Sequence, residues 1–208
     1  MAVLCTVATV VALAYGLGTS PYITGQSVHR HQPVQFSHRH HVESMGIECR
    51  YCHFNVEESA FAGIPPTHTC MTCHSQIWAD SPYLEIVRDS YANQKPLEWT
   101  RVHDLPDFVY FNHSIHVKKG MGCASCHGRI DKMATVYQEN SLTMGWCLEC
   151  HRNPEQNIRP RSEITNMAWK PGDEPSVKNG EETSAELRKR LLEEYDAHPQ
   201  DTCYTCHR

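Results

Sequence analysis

The chain has 208 residues, enough for one ordinary domain or two small ones, yet only 40% are hydrophobic and 9% aromatic, so a conventional core would be thin. A formal net charge of −5 argues against a nucleic-acid partner, which requires a basic face. Eleven cysteines and fifteen histidines are the unusual feature, and they direct the reading that follows.

Residues 1 to 28 contain no Asp, Glu, Lys, Arg or His. The run MAVLCTVATVVALAYGLG is almost continuously apolar, and as a helix it would be about 27 Å long, close to the hydrocarbon thickness of a bilayer. A cleaved signal peptide is one reading, since Ala12 and Ala14 form an A-x-A site. A retained transmembrane anchor over 1–28 is the preferred one, because the apolar run extends through TSPYI. The basic n-region that either reading would carry is missing, so the positive-inside rule does not orient the segment. Cys5 sits in no lipobox.

Ten of the eleven cysteines then fall into a single pattern. CRYCH spans 49–53, CMTCH 70–74, CASCH 123–127, CLECH 147–151 and CYTCH 203–207. Two thiols at this spacing form thioethers to the two vinyl groups along one edge of a porphyrin. The histidine that follows then lies under the ring and binds its iron. A zinc ribbon, a redox dithiol or a disulfide framework would need no histidine directly after the second cysteine. The pattern therefore predicts five covalent haems c, held by Cys49 and Cys52, Cys70 and Cys73, Cys123 and Cys126, Cys147 and Cys150, and Cys203 and Cys206. The proximal ligands would be His53, His74, His127, His151 and His207. So many haems would themselves form much of the buried apolar material. The expected fold is a multihaem cytochrome c, mainly α with extensive loops, around a haem-filled core.

An internal repeat organises the chain. FSHRHHVESMGIECRYCH, residues 36–53, matches FNHSIHVKKGMGCASCHG, residues 111–128. Each reads aromatic-x-His-x-x-His, a short spacer containing glycine, and then the haem motif. Each is followed by a second motif, which defines two dihaem units, 36–74 and 111–151, and leaves a lone fifth haem. Histidines three apart on a helix share one face but fan by about 60°. His38 with His41, and His113 with His116, can thus each supply sixth ligands to two neighbouring irons, with Phe36 and Phe111 against the porphyrin edges. His103 is the first choice for the fifth distal ligand, and Met144 and His198 are its rivals. His68 is too close to Cys70 to reach its own haem, and His29, His31 and His40 are read as solvated. A Met-ligated iron would sit at higher potential than a bis-His one. With every iron six-coordinate there is no open position for substrate, which argues against a multihaem reductase.

Residues 81–93 predict a packing helix with Ser81 as N-cap, Pro82 at N1, and Tyr83, Ile86 and Val87 on one face. Four prolines between 152 and 182 predict a linker or a surface-wrapping arm. Thr183 with Glu186 predicts a capping box that opens a C-terminal helix with a Leu187, Leu191, Tyr195 stripe, within a last segment, 183–208, that carries the fifth haem. Trp78, Trp99, Trp146 and Trp169 are expected at haem or interface positions. On this reading residues 29–208 form one pentahaem domain.

The stretches WTRVHDLPDFVYFNHSIHVKKGMGCASCHG, LTMGWCLECHR and IPPTHTCMTCHSQIW resemble the membrane-anchored pentahaem cytochrome subunit of bacterial alternative complex III. The resemblance covers residues 34–153, and 154–202 carries no part of it. It implies a chain anchored in the cytoplasmic membrane with its haem domain on the periplasmic side. Its neighbours would be integral membrane subunits and an iron–sulfur subunit. There the quinol is oxidised elsewhere, and the pentahaem chain relays electrons to a monohaem cytochrome or to a soluble carrier, a cytochrome c or a blue copper protein. The resemblance also covers His103, His113 and His116. The competing readings are a stand-alone multihaem quinol dehydrogenase, a multihaem reductase and a zinc scaffold.

Overall fold

Short helices joined by long irregular stretches make up the computed structural model, which describes residues 1–207. In chain order the α-helices are α1 (Ala2–Gly18), α2 (Pro21–Thr24), α3 (Cys49–Cys52), α4 (Thr67–His74), α5 (Glu85–Ala92), α6 (His113–Lys118), α7 (Cys123–His127), α8 (Met144–Arg152), α9 (Pro175–Lys178), α10 (Ser184–Glu194) and α11 (Cys203–Cys206). A π-helical turn, Arg39–Ser44, carries the first histidine pair. Among the described residues no strand forms, and the only β pairing is two isolated bridges, Gln26 with Gln138 and Met121 with Ile158. Helices this short are marginal on propensity alone, so they persist through caps and tertiary contacts. Glu48 caps α3 by accepting from the Arg50 amide at 2.6 Å, and Asn112 caps α6 through Ser114 at 2.9 Å.

The N-terminal segment buries nothing. Ala2–Thr24 is long and apolar enough to cross a membrane, and none of its window packs against the rest of the chain. Its foot is fastened all the same. Ser27 N donates to Gln138 O at 2.7 Å, Gln26 Nε2 to Glu139 O at 2.8 Å, and the buried Gln138 side chain returns to Thr24 O at 3.0 Å. Asn140 then reaches the carbonyls of Ser125 and Cys126 at 3.3 and 2.8 Å, so the apolar helix ends a few side chains from the third C-x-x-C-H segment.

The conventional core lies at the C-terminal side. Ile158, Leu187, Leu191 and Tyr195 form one buried cluster, with Met121, Trp169, Val177, Leu192 and Ala197 packed around it. Thr183 and Glu186 make the reciprocal capping box that starts α10, with Glu186 N donating to Thr183 Oγ1 at 3.2 Å and Thr183 N to Glu186 Oε2 at 2.7 Å. Residues 152–182 wrap the surface in 3₁₀ turns and the short α9, and they bury Ile158, which belongs to this cluster, and Ile164, each 1% exposed. Trp169 belongs here too. It stacks under Arg159 at 5.0 Å and donates to Glu174 at 2.6 Å. Leu187 is fully buried, so Leu187→Ala is expected to cost about 2–5 kcal/mol. A thermal melt followed at the far-UV helix band checks this.

The helix expected over 81–93 starts later than its sequence signals. Pro82–Leu84 is a 3₁₀ turn, α5 begins at Glu85, and Ser81 makes no side-chain cap. Of the expected face only Val87 is buried, while Tyr83 and Ile86 are exposed, because α5 packs on α4 through Val87 and Ser90. Ser90 Oγ meets Thr67 Oγ1 at 2.7 Å.

The chain exposes 13691 Å². A compact monomer of 23.8 kDa exposes roughly 9,900 Å². The uncovered N-terminal helix accounts for part of the excess. Apolar side chains also stand open around the C-x-x-C-H segments: Tyr51, Phe54, Ile64, Trp78, Phe108, Tyr110, Met144 and Tyr204 are all more than half exposed.

Candidate functional site

Each C-x-x-C-H segment is helical, with its histidine beside, at or just past the helix end, so the two thiols and the imidazole project from one short unit. None of the cysteines forms a disulfide. Burial, and after it the neighbouring Cys123, push the Cys49 thiol up to about 11. Burial, then Cys150 and Cys147, push Cys126 up to about 12. Among the described residues no cluster of three or more His, Cys, Asp or Glu side chains converges as a metal cage.

The histidines facing these segments repeat with the same geometry. The His38 and His53 rings are parallel within 2° at 6.5 Å, and His113 and His127 within 10° at 6.4 Å. His41 faces His74 at 6.2 Å, interplanar angle 68°, and His116 faces His151 at 6.0 Å and 66°. Two axial bonds of about 2 Å, plus the distance from each ring nitrogen to its centroid, separate two imidazoles on one metal by about 6.3 Å. All four pairs therefore leave room for one iron and its porphyrin, and the residues fit haem at those segments.

Local contacts orient the rings. His41 Nδ1 donates to Ser37 O at 2.9 Å, His116 Nδ1 to Asn112 O at 2.7 Å, and His113 Nδ1 to Ala60 O at 2.8 Å. His38 Nδ1 is buried without a partner. A proton on Nδ1 leaves the Nε2 lone pair free for metal. Burial, then His53 and His41, bring His38 down to about 4, and burial also lowers His41, His113 and His116, so the rings are neutral. Phe36 and Phe111 stack on the imidazoles themselves, at 4.4 Å on His41 and 4.5 Å on His116. The glycine three residues before each unit's first cysteine, Gly46 or Gly120, adopts a φ of +69° or +79°. This left-handed turn brings the motif back under its histidine pair, and at Gly120 a Cβ would lie 2.7 Å from Tyr195.

The two units exchange contacts. Ser114 N donates to Ser59 O at 3.2 Å, alongside His113 on Ala60, while Arg39 N donates to Met133 O at 3.0 Å and Lys132 pairs with Glu43 at 3.6 Å. This sets the first segment beside the third. Tyr51 and Thr72 join the first to the second at 2.9 Å. The turn of His113 and His116 joins third to fourth. His151 Nδ1 donates to Gln200 O at 2.8 Å and Arg152 pairs with Asp201 at 3.3 Å, joining fourth to fifth. The segments therefore follow one another in space as second, first, third, fourth, fifth.

Two expected ligands stand elsewhere. His103 packs on His127, with ring centroids at 4.3 Å and its Nε2 3.3 Å from His127 Nδ1, so it meets the third segment and does not face His207. The loop carrying it is drawn inward by buried Val102, which fixes that position. His198 is exposed and pairs with Asp196 at 3.2 Å. His207 donates to Phe108 O at 3.0 Å, and among the described residues no histidine ring faces it as in the other four pairs. Met144 opens α8 and is 63% exposed, on the helix whose Cys147 thiol is raised by burial and then by Cys206. Sequence reasoning did not find the main-chain acceptors of the proximal histidines, Gly63, Ile77, Gln200 and Phe108. A carbonyl is present in every residue and leaves no sequence signal.

Paired imidazoles over repeated C-x-x-C-H turns define an electron-transfer protein with several covalent haems. The family model described as cytochrome c7 and related cytochrome c matches residues 109–208. The menaquinone reductase multiheme cytochrome c subunit of Nitratidesulfovibrio vulgaris is 33% identical over an alignment of 169 positions that covers 71% of this chain and 79% of that protein. The chain belongs to the multihaem cytochrome c family, mostly helical and with one N-terminal apolar helix suited to a membrane anchor.

Proposed function

We propose that this chain is the electron-relay subunit of a membrane quinol:acceptor oxidoreductase of the alternative complex III type. Five covalent haems c, one at each C-x-x-C-H segment, would be bound on the periplasmic side of the cytoplasmic membrane, with residues 1–28 as anchor. The observation that carries the reading is the unbroken line of segments, second–first–third–fourth–fifth, in which four proximal histidines already face a second imidazole. Each haem supplies reversible one-electron redox chemistry when bound. The residues of the chain do the rest: the thiols tether, the Nδ1 hydrogen bonds hold ring nitrogens toward iron, and each histidine pair sets two neighbouring sites from one turn.

At four segments the distal ligands are His38, His41, His113 and His116, in the pairs described above. Met144 would supply the fifth, from the exposed start of the helix whose Cys147 lies near Cys206. The partners on this reading are integral membrane subunits, an iron–sulfur subunit, and a monohaem cytochrome or soluble periplasmic carrier. A second reading reverses the flow. The relative from N. vulgaris is named as a menaquinone reductase subunit, so the same line of sites would then deliver electrons to the quinone pool.

The test is isolation of the chain from detergent-solubilised membranes. We expect five haems per chain by mass, co-purifying iron–sulfur and multi-pass subunits, and reduction of an added cytochrome c by quinol. Reduction of menaquinone by an added reduced cytochrome, without the forward reaction, would establish the second reading. A monodisperse chain reduced directly by quinol would make it a stand-alone dehydrogenase.

A further inference from the structure

The inference concerns Arg159 and rests on the haem reading just given. Arg159 is the one Lys or Arg side chain buried among the described residues, at 6% exposed. Main-chain contacts press it against the third segment: Arg159 N donates to Gly120 O at 2.9 Å, and Cys123 N donates to Ile164 O at 3.0 Å. The guanidinium lies on Gly122, the residue directly before Cys123, so closely that any side chain there would run into its Nε and Cζ. Trp169 covers the group at 5.0 Å. Nη1 donates to Asn166 O at 3.0 Å and to Glu163 O at 3.4 Å, while Nε is buried with no acceptor.

These partners are neutral carbonyls, so they leave the charge uncancelled. The other guanidinium near Cys123 is different: Arg50 pairs with Glu57 at 2.8 Å and with Glu48 at 3.4 Å. A guanidinium keeps its proton even when buried, and away from water its field is weakly screened. Ferrous haem carries one positive charge fewer than ferric haem. A fixed cation beside the thioether edge therefore favours the reduced state. We propose that Arg159 raises the potential of the third site, making it easier to reduce than it would be without the buried charge. Glycine at position 122 is what lets the charge come this close.

The test uses the full chain, first shown by mass to carry its haems. A wild-type chain without them would fail the haem reading itself and not this inference. In redox titrations followed at the haem bands, the step of the third site is the one missing when Cys123 and Cys126 are both replaced by alanine. Arg159→Met is expected to lower that step by about tenfold in its equilibrium constant, about 59 mV. Arg159→Lys keeps a charge and is expected to lower it by less than half as much at about pH 5. As pH rises it should approach the Met variant, because burial brings a lysine's pKa down. The proposal is overturned if the step stays or rises in the Met variant, or if Met and Lys shift it alike at every pH. A lower melting temperature with unmoved potentials would make Arg159 a brace and nothing more. Should the Met variant load fewer haems, Gly122→Ala pushes the guanidinium off the segment and is expected to lower the same step. No shift there overturns the proposal equally.

Discussion

Exchanging both Cys123 and Cys126 for alanine is expected to remove one haem per chain and to abolish nearly all passage of electrons from one end of the protein to the other. The third segment is the middle of the line. On one side His113 faces His127 at 6.4 Å, and α6 is tied to Ala60 of the first unit at 2.8 Å. On the other side Asn140 holds the Cys126 carbonyl at 2.8 Å, which links the segment to the foot of the N-terminal helix. Without Cys123 and Cys126 no thioether tethers a haem at this segment. Mass spectrometry would show the loss of one haem, and quinol-driven reduction of an added carrier would show the break. The same double replacement at Cys203 and Cys206 removes only a terminal site, so it should leave the first four haems reducible. If the central variant still conducts at the wild-type rate, the linear order is wrong.

The second large effect concerns α6. Replacing His113 and His116 together by alanine is expected to turn two low-spin irons into high-spin ones through changes within a single helical turn. Each replacement alone should convert one. The reason is angular: residues three apart fan by about 60°, so the two rings serve different neighbours, His127 and His151. Phe111, stacked at 4.5 Å on His116 and edge-on to His113 at 4.7 Å, keeps both rings aimed. Low-temperature magnetic circular dichroism counts the spin states. The same measurement on Met144→Ala should show one further high-spin iron and loss of the methionine-to-iron charge-transfer band. Unchanged spin states in the α6 double variant would remove the ligand assignment.

The haem chemistry of this chain is written locally. A C-x-x-C-H segment contains both tethers and a ligand within five residues, so no folding knowledge is needed to read it. The aromatic-x-His-x-x-His repeat is equally local, because a helical turn alone decides which residues share a face. The capping box at Thr183 and Glu186 and the Leu187, Leu191, Tyr195 stripe were legible for the same reason. Position 103 was not. Its histidine matches the expected ligand type, but where a loop histidine ends up depends on what the loop packs against, here Val102 and the edge of His127. The 152–182 stretch was read from its prolines as a linker or a surface-wrapping arm, while its isolated Ile158 and Ile164 carry no period and still reach the deepest positions.

The residue pattern alone thus determined the five C-x-x-C-H segments, the two matching histidine–motif repeats and the histidine proposed as proximal ligand in each segment, because all of these are set by neighbours along the chain. Only the tertiary structure decided which segment lies beside which, where His103 packs and which segment lacks an opposing histidine among the described residues. Those depend on distances between residues tens of positions apart, such as His113 to Ala60 or His151 to Gln200, and such distances have no signature until the chain closes on itself.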